Sequence, residues 1–260
     1  MTQPALSRQI QSLERQLGVE LLDRNRRTVT LTAAGRQLLE DAVPLLAAAD
    51  AARRRAQRAG RGNERLAVGF RAGLIITDAI RRFAQIFPDV IVETSRIDWD
   101  EQESAVLSGR VDIAYVRRPL NERGLQLLPL FTEARLAALP MDHPLAGEPS
   151  LTMAAISAER HLHFLETVSD GRRRAALRSI EEKLEFVASG TGIIVLPLSA
   201  TLHYARPDVV YVPLTDAEPD EVLLAWESSR RSKLVRGFAD CARQSVGLAP
   251  ADGTRVAPTV

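Results

Sequence analysis

Apolar residues recur at helical spacing through residues 6–17. Since the positions between them are polar, the pattern predicts an amphipathic helix with one buried face. Thr2 suits the N-cap of this helix, and Pro4 is tolerated in its first turn, where its missing N–H costs little. Gly18 is expected to end the helix. The buried face would consist of Leu6, Ile10, Leu13 and Leu17.

The opposite face of this helix carries side chains that form hydrogen bonds, and none of them is acidic. It consists of Gln3, Ser7, Arg8 and Gln11. A helix whose first turns present such groups suits contact with base edges in the major groove of DNA. An ordinary amphipathic surface helix would show the same pattern, so this stretch leaves both interpretations open.

The next residues predict a short hairpin and then a long helix. Residues 28–31 alternate as a strand does, and Arg26 and Arg27 would lie at the tip of the hairpin, as in a winged helix. A helix over residues 32–58 follows, and Pro44 should bend it. Its broad apolar stripe needs a partner, either a second copy of the chain or the chain's own next domain. The stripe consists of Leu38, Leu39, Ala42, Leu45, Leu46, Ala49 and Ala52.

From residue 65 onward, after a glycine-containing break at residues 59–63, predicted strands alternate with predicted helices. This alternation indicates an α/β fold of parallel βαβ units with right-handed crossovers. We expect two lobes joined by two strands, near residues 134–139 and 222–226. The other predicted strands are 66–70, 90–94, 111–116, 161–165, 192–196 and 209–212, and the helices are 74–87, 100–108 and 181–188.

Composition narrows the possible functions. Basic and acidic residues nearly balance, at 34 and 33, so a role in binding nucleic acid must depend on local charge. Arginines cluster at the front of the chain, at positions 24, 26, 27, 36, 53–55, 58 and 61. The single cysteine, Cys241, excludes an internal disulfide and a multi-cysteine metal site. His161 and His163 stand outside any recognised ligand motif, so we predict no metal site.

The pattern also argues against membrane and enzyme functions. No apolar run approaches the roughly 20 residues of a membrane-spanning helix, and no signal peptide is evident, so we expect a soluble, cytoplasmic protein. Gly190 and Gly192 lie between a helix and the strand that follows it, which reverses the order of a phosphate-binding loop. No serine or histidine stands in a recognisable nucleophile–base motif, so we predict that the protein is not an enzyme.

Residues 2–35 resemble the DNA-binding end of the LysR-type transcriptional regulators, in the pattern TQPALSRQI..LE..LGV.LLDR..R.V.LT.AG. Four later segments resemble the effector domain of that family, which looks like a type 2 periplasmic binding protein. They are FAQIFPDV, SGRVDIAYV, HPLAG and EEKLEFVASGTGIIVLP. The resemblance implies a regulator without metal or cofactor that binds double-stranded promoter DNA and a small-molecule effector. The long helix would form a homodimer, which the family often extends to a homotetramer.

The resemblance divides the chain into four parts. Residues 1–31 would form a partial winged helix-turn-helix domain, and residues 32–62 a linker and dimerisation helix. Residues 63–246 would form the two-lobed effector-binding domain, with lobe I at about 63–135 and 224–246 and lobe II at about 136–223. Residues 247–260 are expected to form a disordered tail.

The resemblance places the DNA contacts on the first helix and the hairpin. Gln3, Pro4, Ser7 and Arg8 would lie in the major groove. Arg27, on the wing, would reach the phosphates or the adjacent minor groove.

An effector would lie in the cleft between the lobes, because open α/β sheets bind ligands beyond the carboxyl ends of their strands. The helix expected to begin at Leu74 would offer its free N–H groups to an anion. Arg71 and Arg117 would suit a carboxylate, and the alternative is that both are solvated surface residues. The expected contacts are Arg71, Gly73, Leu74, Trp99, Arg117, Glu166 and Thr167.

The chain departs from the family pattern in two places. The family has two further helices before the segment that begins here at Thr2. We therefore expect a longer natural chain, in which an internal valine codon has been read as the start at Met1. Residues 166–178 form a shorter segment than usual, which weakens the ligand assignment of Glu166 and Thr167. The alternative function is a truncated ligand-binding regulatory module that no longer binds DNA.

Overall fold

The front of the chain folds into a helix, a hairpin and a long helix. The computed structural model describes residues 3–25, 28–60, 64–162 and 179–246. Helix α1 spans Gln3–Leu17, strands β1 (Leu22–Asn25) and β2 (Thr28–Leu31) pair antiparallel, and α2 spans Ala33–Ala59. Gly18 ends α1 with φ at 70° and donates its N–H to the Glu14 carbonyl at 2.9 Å, which confirms the predicted helix end. The predicted N-cap Thr2, the hairpin tip at Arg26 and Arg27, His163 and the tail 247–260 lie outside the described residues.

The rest of the described chain forms two α/β lobes. Its elements are β3 (Arg65–Phe70), α3 (Thr77–Ile86), β4 (Ile91–Arg96), α4 (Gln102–Leu107), β5 (Ile113–Arg117), β6 (Leu125–Glu133), β7 (Arg135–Pro140), α5 (Ile180–Ala188), β8 (Ile194–Pro197), α6 (Leu198–His203), β9 (Val209–Pro213), β10 (Asp220–Glu227) and α7 (Lys233–Ser245).

Lobe I is a five-stranded sheet in the order β4-β3-β5-β10-β6. Strands β4, β3 and β5 run parallel, as predicted, and β10 is antiparallel to both of its neighbours. Alternate residues of each strand point to opposite faces, so the sheet has two apolar faces. Helices α3 and α7 cover one face around Phe83 and Phe238, and α4 covers the other around Val106.

Lobe II contains a three-stranded antiparallel sheet in the order β8-β7-β9. The prediction of paired parallel strands is wrong for this sheet. Strands β8 and β9 do run in the same direction, but β7, which arrives from lobe I, lies between them. Parallel pairing occurs in the described part of lobe II only as the isolated bridges His161–Ile193 and Leu151–Leu214.

The chain crosses between the lobes at Ala134 and again between Pro213 and Asp220. The two strands that were expected to join the lobes therefore belong to separate sheets, β7 to lobe II and β10 to lobe I. Since β10 already pairs with β6 at Asp220, the chain has returned to lobe I four residues before the expected boundary at 224.

The long helix α2 contacts lobe I through Ala51, a residue outside the predicted apolar stripe. Ala51 is fully buried there against the turn at Gly109, which follows α4. Further towards its start, α2 exposes Leu39, Val43, Leu45 and Leu46, with between 52% and 69% of each side chain accessible. No helix in the described ranges is both long and apolar enough to span a membrane.

Candidate functional sites

The polar face of α1 is open to solvent. Ser7 and Arg8 are exposed there, as contact with a DNA groove requires. Gln3 and Pro4 lie in the first turn of α1, although their side chains are outside the part of the chain that the structure describes. The fifth predicted DNA contact, Arg27, is also outside that part. The structure thus presents two of the five predicted contacts on one exposed helix face.

The hairpin is fastened to the end of α1 by Glu14, a residue to which we assigned no role from the sequence. Its Oε1 accepts the backbone N–H groups of Leu21 at 2.9 Å and Leu22 at 3.2 Å. Leu21 immediately precedes β1, and Leu22 is its first residue. The LE pair of the family pattern is the signal that could have identified this contact.

The hairpin is also fastened to the start of α2. The Thr32 hydroxyl donates to the Glu20 carbonyl at 2.7 Å and accepts the N–H of Gly35 at 3.0 Å. A side chain at Gly35 would place its Cβ only 2.1 Å from the Leu21 carbonyl oxygen, so α2 approaches β1 as closely as glycine permits. The orientation of the hairpin relative to both helices is thereby restricted.

The apolar face of α1 was expected to be buried, and this expectation is wrong for the described chain. Leu6, Leu13 and Leu17 keep 45%, 39% and 46% of their surface accessible. The physical reason is that no described element packs across this face. A short helix with an uncovered apolar face has little tertiary burial to stabilise it.

The loop after β3 lies at the junction of the two lobes. Gly73 has φ at 83°, and a Cβ there would lie 2.6 Å from the Cα of Ala200 in α6. Only glycine fits this conformation and this space. Helix α3 begins at Thr77, so the predicted helix start at Leu74 is wrong. The Leu74 side chain is buried in the core of lobe I, and its N–H is bonded to the Arg71 carbonyl at 3.1 Å.

Arg117, at the end of β5, is buried in an ion pair and is not a solvated surface arginine. Its Nε and Nη2 donate to Glu133 Oε1 at 3.1 and 3.0 Å, and the two side chains are only 7% and 6% accessible. Its Nη1 donates to the Ala72 carbonyl at 3.1 Å, and its Nη2 also donates to Ser199 Oγ at 2.7 Å. Gln102 bonds both backbone groups of Arg117. Sequence spacing gave no signal for these partners.

Arg71 has a different environment. It is half-buried, and within the described residues it takes part in no ion pair at contact distance. Burial lowers the pKa of Arg71 to about 10, with a further lowering from the positive charge of Arg117; Asp98, Asp220 and Asp100 oppose this shift. The two buried carboxylates near these guanidinium groups, Glu133 and Asp220, are paired with Arg117 and Arg135, which leaves Arg71 suited to bind an external anion.

Of the three remaining predicted effector contacts, the structure describes only Trp99. Trp99 is half-buried and lies three residues after the end of β4. Glu166 and Thr167 lie outside the described residues, so their assignment stays a prediction. Two further ion pairs join the lobes: Arg96 of β4 pairs with Glu181 of α5 at 3.3 Å, and Arg135 of β7 pairs with Asp220 of β10.

Comparisons with known proteins support the same organisation. Residues 1–36 match the model of the bacterial regulatory helix-turn-helix proteins of the lysR family, and residues 59–247 match the LysR substrate binding domain. The regulator BudR of Raoultella terrigena is 32% identical over 92% of this chain and 90% of its own length. The uncharacterised regulator YnfL of Escherichia coli K12 is 30% identical over 92% and 88%. The crystal structure of full-length BenM is 24% identical, covers 95% of this chain and 89% of its own, and has a TM-score of 0.58.

The residues that the two family models match correspond to the two structural parts described above. The first covers the helix and hairpin at the front, and the second covers the two lobes. They also cover more than half of the chain, and the relatives extend over nearly all of it. The chain belongs to the LysR family of bacterial helix-turn-helix transcriptional regulators.

Proposed function

We propose that this regulator binds promoter DNA through α1 and the hairpin, and that a small anionic effector in the cleft between the lobes changes this binding. The observation that carries the effector part is the half-buried Arg71, which lies beside Arg117 and takes part in no ion pair within the described residues. An unpaired guanidinium is costly to bury, and a ligand carboxylate would repay that cost with two parallel hydrogen bonds.

The DNA-binding part is supported by the exposed Ser7 and Arg8 on α1. A forked guanidinium in the major groove recognises guanine, so Arg8 would contribute to sequence preference. Arg27, at the wing, would contribute through phosphate contacts, which favour all sequences equally. The fastening of the hairpin by Glu14, Thr32 and Gly35 would keep these two groups at a constant separation.

The exposed apolar side chains of α2 support assembly into a homodimer, which this family often extends to a homotetramer. Four large apolar side chains on one exposed helix favour pairing with a second copy of that helix. Ala51 connects the same helix to lobe I. A change between the lobes would thus be passed to α2 and to the spacing of the two DNA-binding ends.

A carboxylate is the effector class that we propose. A solved structure of the BenM effector binding domain with its effector benzoate covers 71% of this chain, with a TM-score of 0.58 at 19% identity. In this chain, Arg71 and Arg117 are the guanidinium groups that would bind a small carboxylate. The effector acts only if it binds one arrangement of the subunits more tightly than the other.

The experiment is fluorescence anisotropy on the gene's own upstream DNA at two salt concentrations, with and without a panel of small carboxylates. Both this chain and one extended upstream in frame are tested. We expect specific binding, a salt-dependent affinity and a response to at least one carboxylate. Arg71→Ala should abolish that response, and Arg123→Ala, an exposed arginine of lobe I, should preserve it. An unchanged response in Arg71→Ala contradicts the effector assignment.

A second candidate function is a ligand-binding regulatory module that does not bind DNA. The exposed apolar face of α1 favours it, because an isolated helix with that face uncovered is weakly held. This alternative predicts carboxylate binding without specific DNA binding by either chain. If only the extended chain binds DNA specifically, the result favours the regulator function together with a natural chain that begins further upstream.

A further inference from the structure

Ser199 of lobe II is held by two side chains of lobe I. Glu133 Oε2 accepts the backbone N–H of Ser199 at 2.7 Å, while Arg117 Nη2 donates to the Ser199 hydroxyl oxygen at 2.7 Å. Glu133 Oε1 meanwhile accepts two hydrogen bonds from Arg117. The ion pair and the contact between the lobes are therefore one hydrogen-bonded unit.

This hydrogen-bonded unit is buried, which strengthens the electrostatic attraction within it. The side chains of Arg117 and Glu133 are 7% and 6% accessible, so water screens their attraction weakly. Two other described ion pairs join the lobes. Arg96–Glu181 is 39% and 52% accessible and is expected to contribute little, and Arg135–Asp220 is intermediate at 35% and 11%. Glu133 and its two partners thus form the most deeply buried charged contact between the lobes in the described chain.

The Glu133 carboxylate accepts two hydrogen bonds from the Arg117 guanidinium, which is the interaction that a ligand carboxylate would make there. Arg71 lies close enough to Arg117 for the two positive charges to disfavour each other. Of the two buried carboxylates nearby, Glu133 is bonded to Arg117 and Ser199, and Asp220 is paired with Arg135. An external anion at this place would meet one guanidinium that is available and one that is already engaged. Binding to both requires Glu133 to give up Arg117.

We propose that Glu133 is an internal anion that fastens the lobes together through Ser199 and competes with an external anion for Arg117. The fastening needs no effector, whereas the competition rests on the function proposed above. When an anion takes Arg117, the hydrogen bond from Arg117 to Ser199 is lost, and the lobes are free to adopt a different separation. Regulation then begins at the base of the cleft.

The fastening is tested by measuring the distance between the lobes without any ligand. Spin labels on Gln85→Cys in lobe I and Ala158→Cys in lobe II, in a Cys241→Ala background, report this distance by pulsed electron paramagnetic resonance. Gln85 and Ala158 are exposed, whereas Cys241 is buried. Labelled full-length chain is diluted into unlabelled chain, so that the distance lies within one subunit.

Glu133→Gln keeps the shape of the side chain and removes its charge. We expect a broader and longer distance distribution in this variant and an unchanged one in Glu185→Gln. Glu185 is a matched control, because its ion pair with Arg206 lies within lobe II and its side chain is 71% accessible. Ser199→Ala, which keeps the ion pair and removes one contact between the lobes, should give a smaller change. An unchanged distance distribution in Glu133→Gln overturns the fastening. If Glu133→Gln fails to fold, Ser199→Ala is the test variant, and an unchanged distribution in Ser199→Ala overturns the fastening.

The competition is tested with inorganic sulfate as the probe, by calorimetry on the same full-length chains. Glu133→Gln should bind sulfate at least about tenfold more tightly than the wild-type chain, the factor that one added charge-assisted hydrogen bond of ordinary strength produces. Equal affinities overturn the competition. Should no carboxylate alter DNA binding while Glu133→Gln still separates the lobes, the proposed effector function is wrong and the fastening stands. If the distance between the lobes is unchanged in Glu133→Gln while a carboxylate still alters DNA binding, the fastening is wrong and the proposed effector function stands.

Discussion

Ala51 of α2 is fully buried against Gly109, which lies two residues after the end of α4 in lobe I. Gly109 has φ at 68°, and a Cβ at that position would lie 2.8 Å from the Cα of Ala51. The long helix is therefore seated on the effector-binding domain at a point where only glycine allows the approach. This contact connects the two parts of the regulator within one subunit.

Gly109→Ala should displace α2 from lobe I. The left-handed conformation costs a residue with a Cβ about 1–2 kcal/mol, and the collision with Ala51 adds about 1–3 kcal/mol of overpacking. We expect a lower free energy of unfolding in urea and faster hydrogen exchange around residue 51.

Gly190→Ala is the matched control for this change. Gly190 also follows a helix and has φ at 70°, but nothing lies within 4 Å of the position of its Cβ. The two variants share the conformational cost, so the difference between them isolates the contact with Ala51. Equal losses of stability in the two variants would mean that the contact between Ala51 and Gly109 contributes nothing to the free energy of unfolding.

Arg8→Ala and Arg27→Ala should change DNA binding in different ways. Loss of Arg8, on the exposed face of α1, should reduce specific binding by about 1–3 kcal/mol and relax the sequence preference. Loss of Arg27 should weaken binding to all sequences and reduce the slope of log affinity against log salt by about 1. Anisotropy on specific and random DNA at several salt concentrations distinguishes them. Equal losses on both DNAs for Arg8→Ala would contradict its role at the base edges.

Lys183 should make the stability of the protein rise with pH. Its side chain is 1% accessible, and burial lowers the pKa of this lysine to about 7. Lysine in the unfolded chain titrates near pH 10. Between these values the unfolded state binds more protons than the folded state, so the free energy of unfolding should rise by at most roughly 1.4 kcal/mol per pH unit.

Lys183→Met should remove this rise and increase stability near pH 7, where the buried amine still costs the folded state. Urea unfolding at pH 7 and pH 9 measures the effect. Lys233→Met, at the exposed start of α7, is the control because Lys233 is the other lysine in the chain. The same pH dependence in both variants would show that another group is responsible.

Local patterns in the sequence predicted much of the secondary structure. The spacing of apolar residues and the glycine at position 18 predicted α1 and its end, and polar alternation predicted β2, because these features depend on neighbours within one turn or one strand. Strand β6 was missed. Its Pro129 argues against a central strand, and the position is tolerated because β6 lies at the edge of the sheet.

The arrangement of the candidate effector site was beyond such patterns. The sequence placed Arg71 and Arg117 after parallel strands, and nothing near them in sequence indicated that Arg117 meets Glu133 and Ser199 while Arg71 stays without an ion pair within the described residues. These partners are 16 and 82 positions from Arg117 and come together only when β6 and α6 pack at the junction of the lobes. Residue identity along the chain specifies which groups are available, and long-range packing specifies which of them meet and which are left for a ligand.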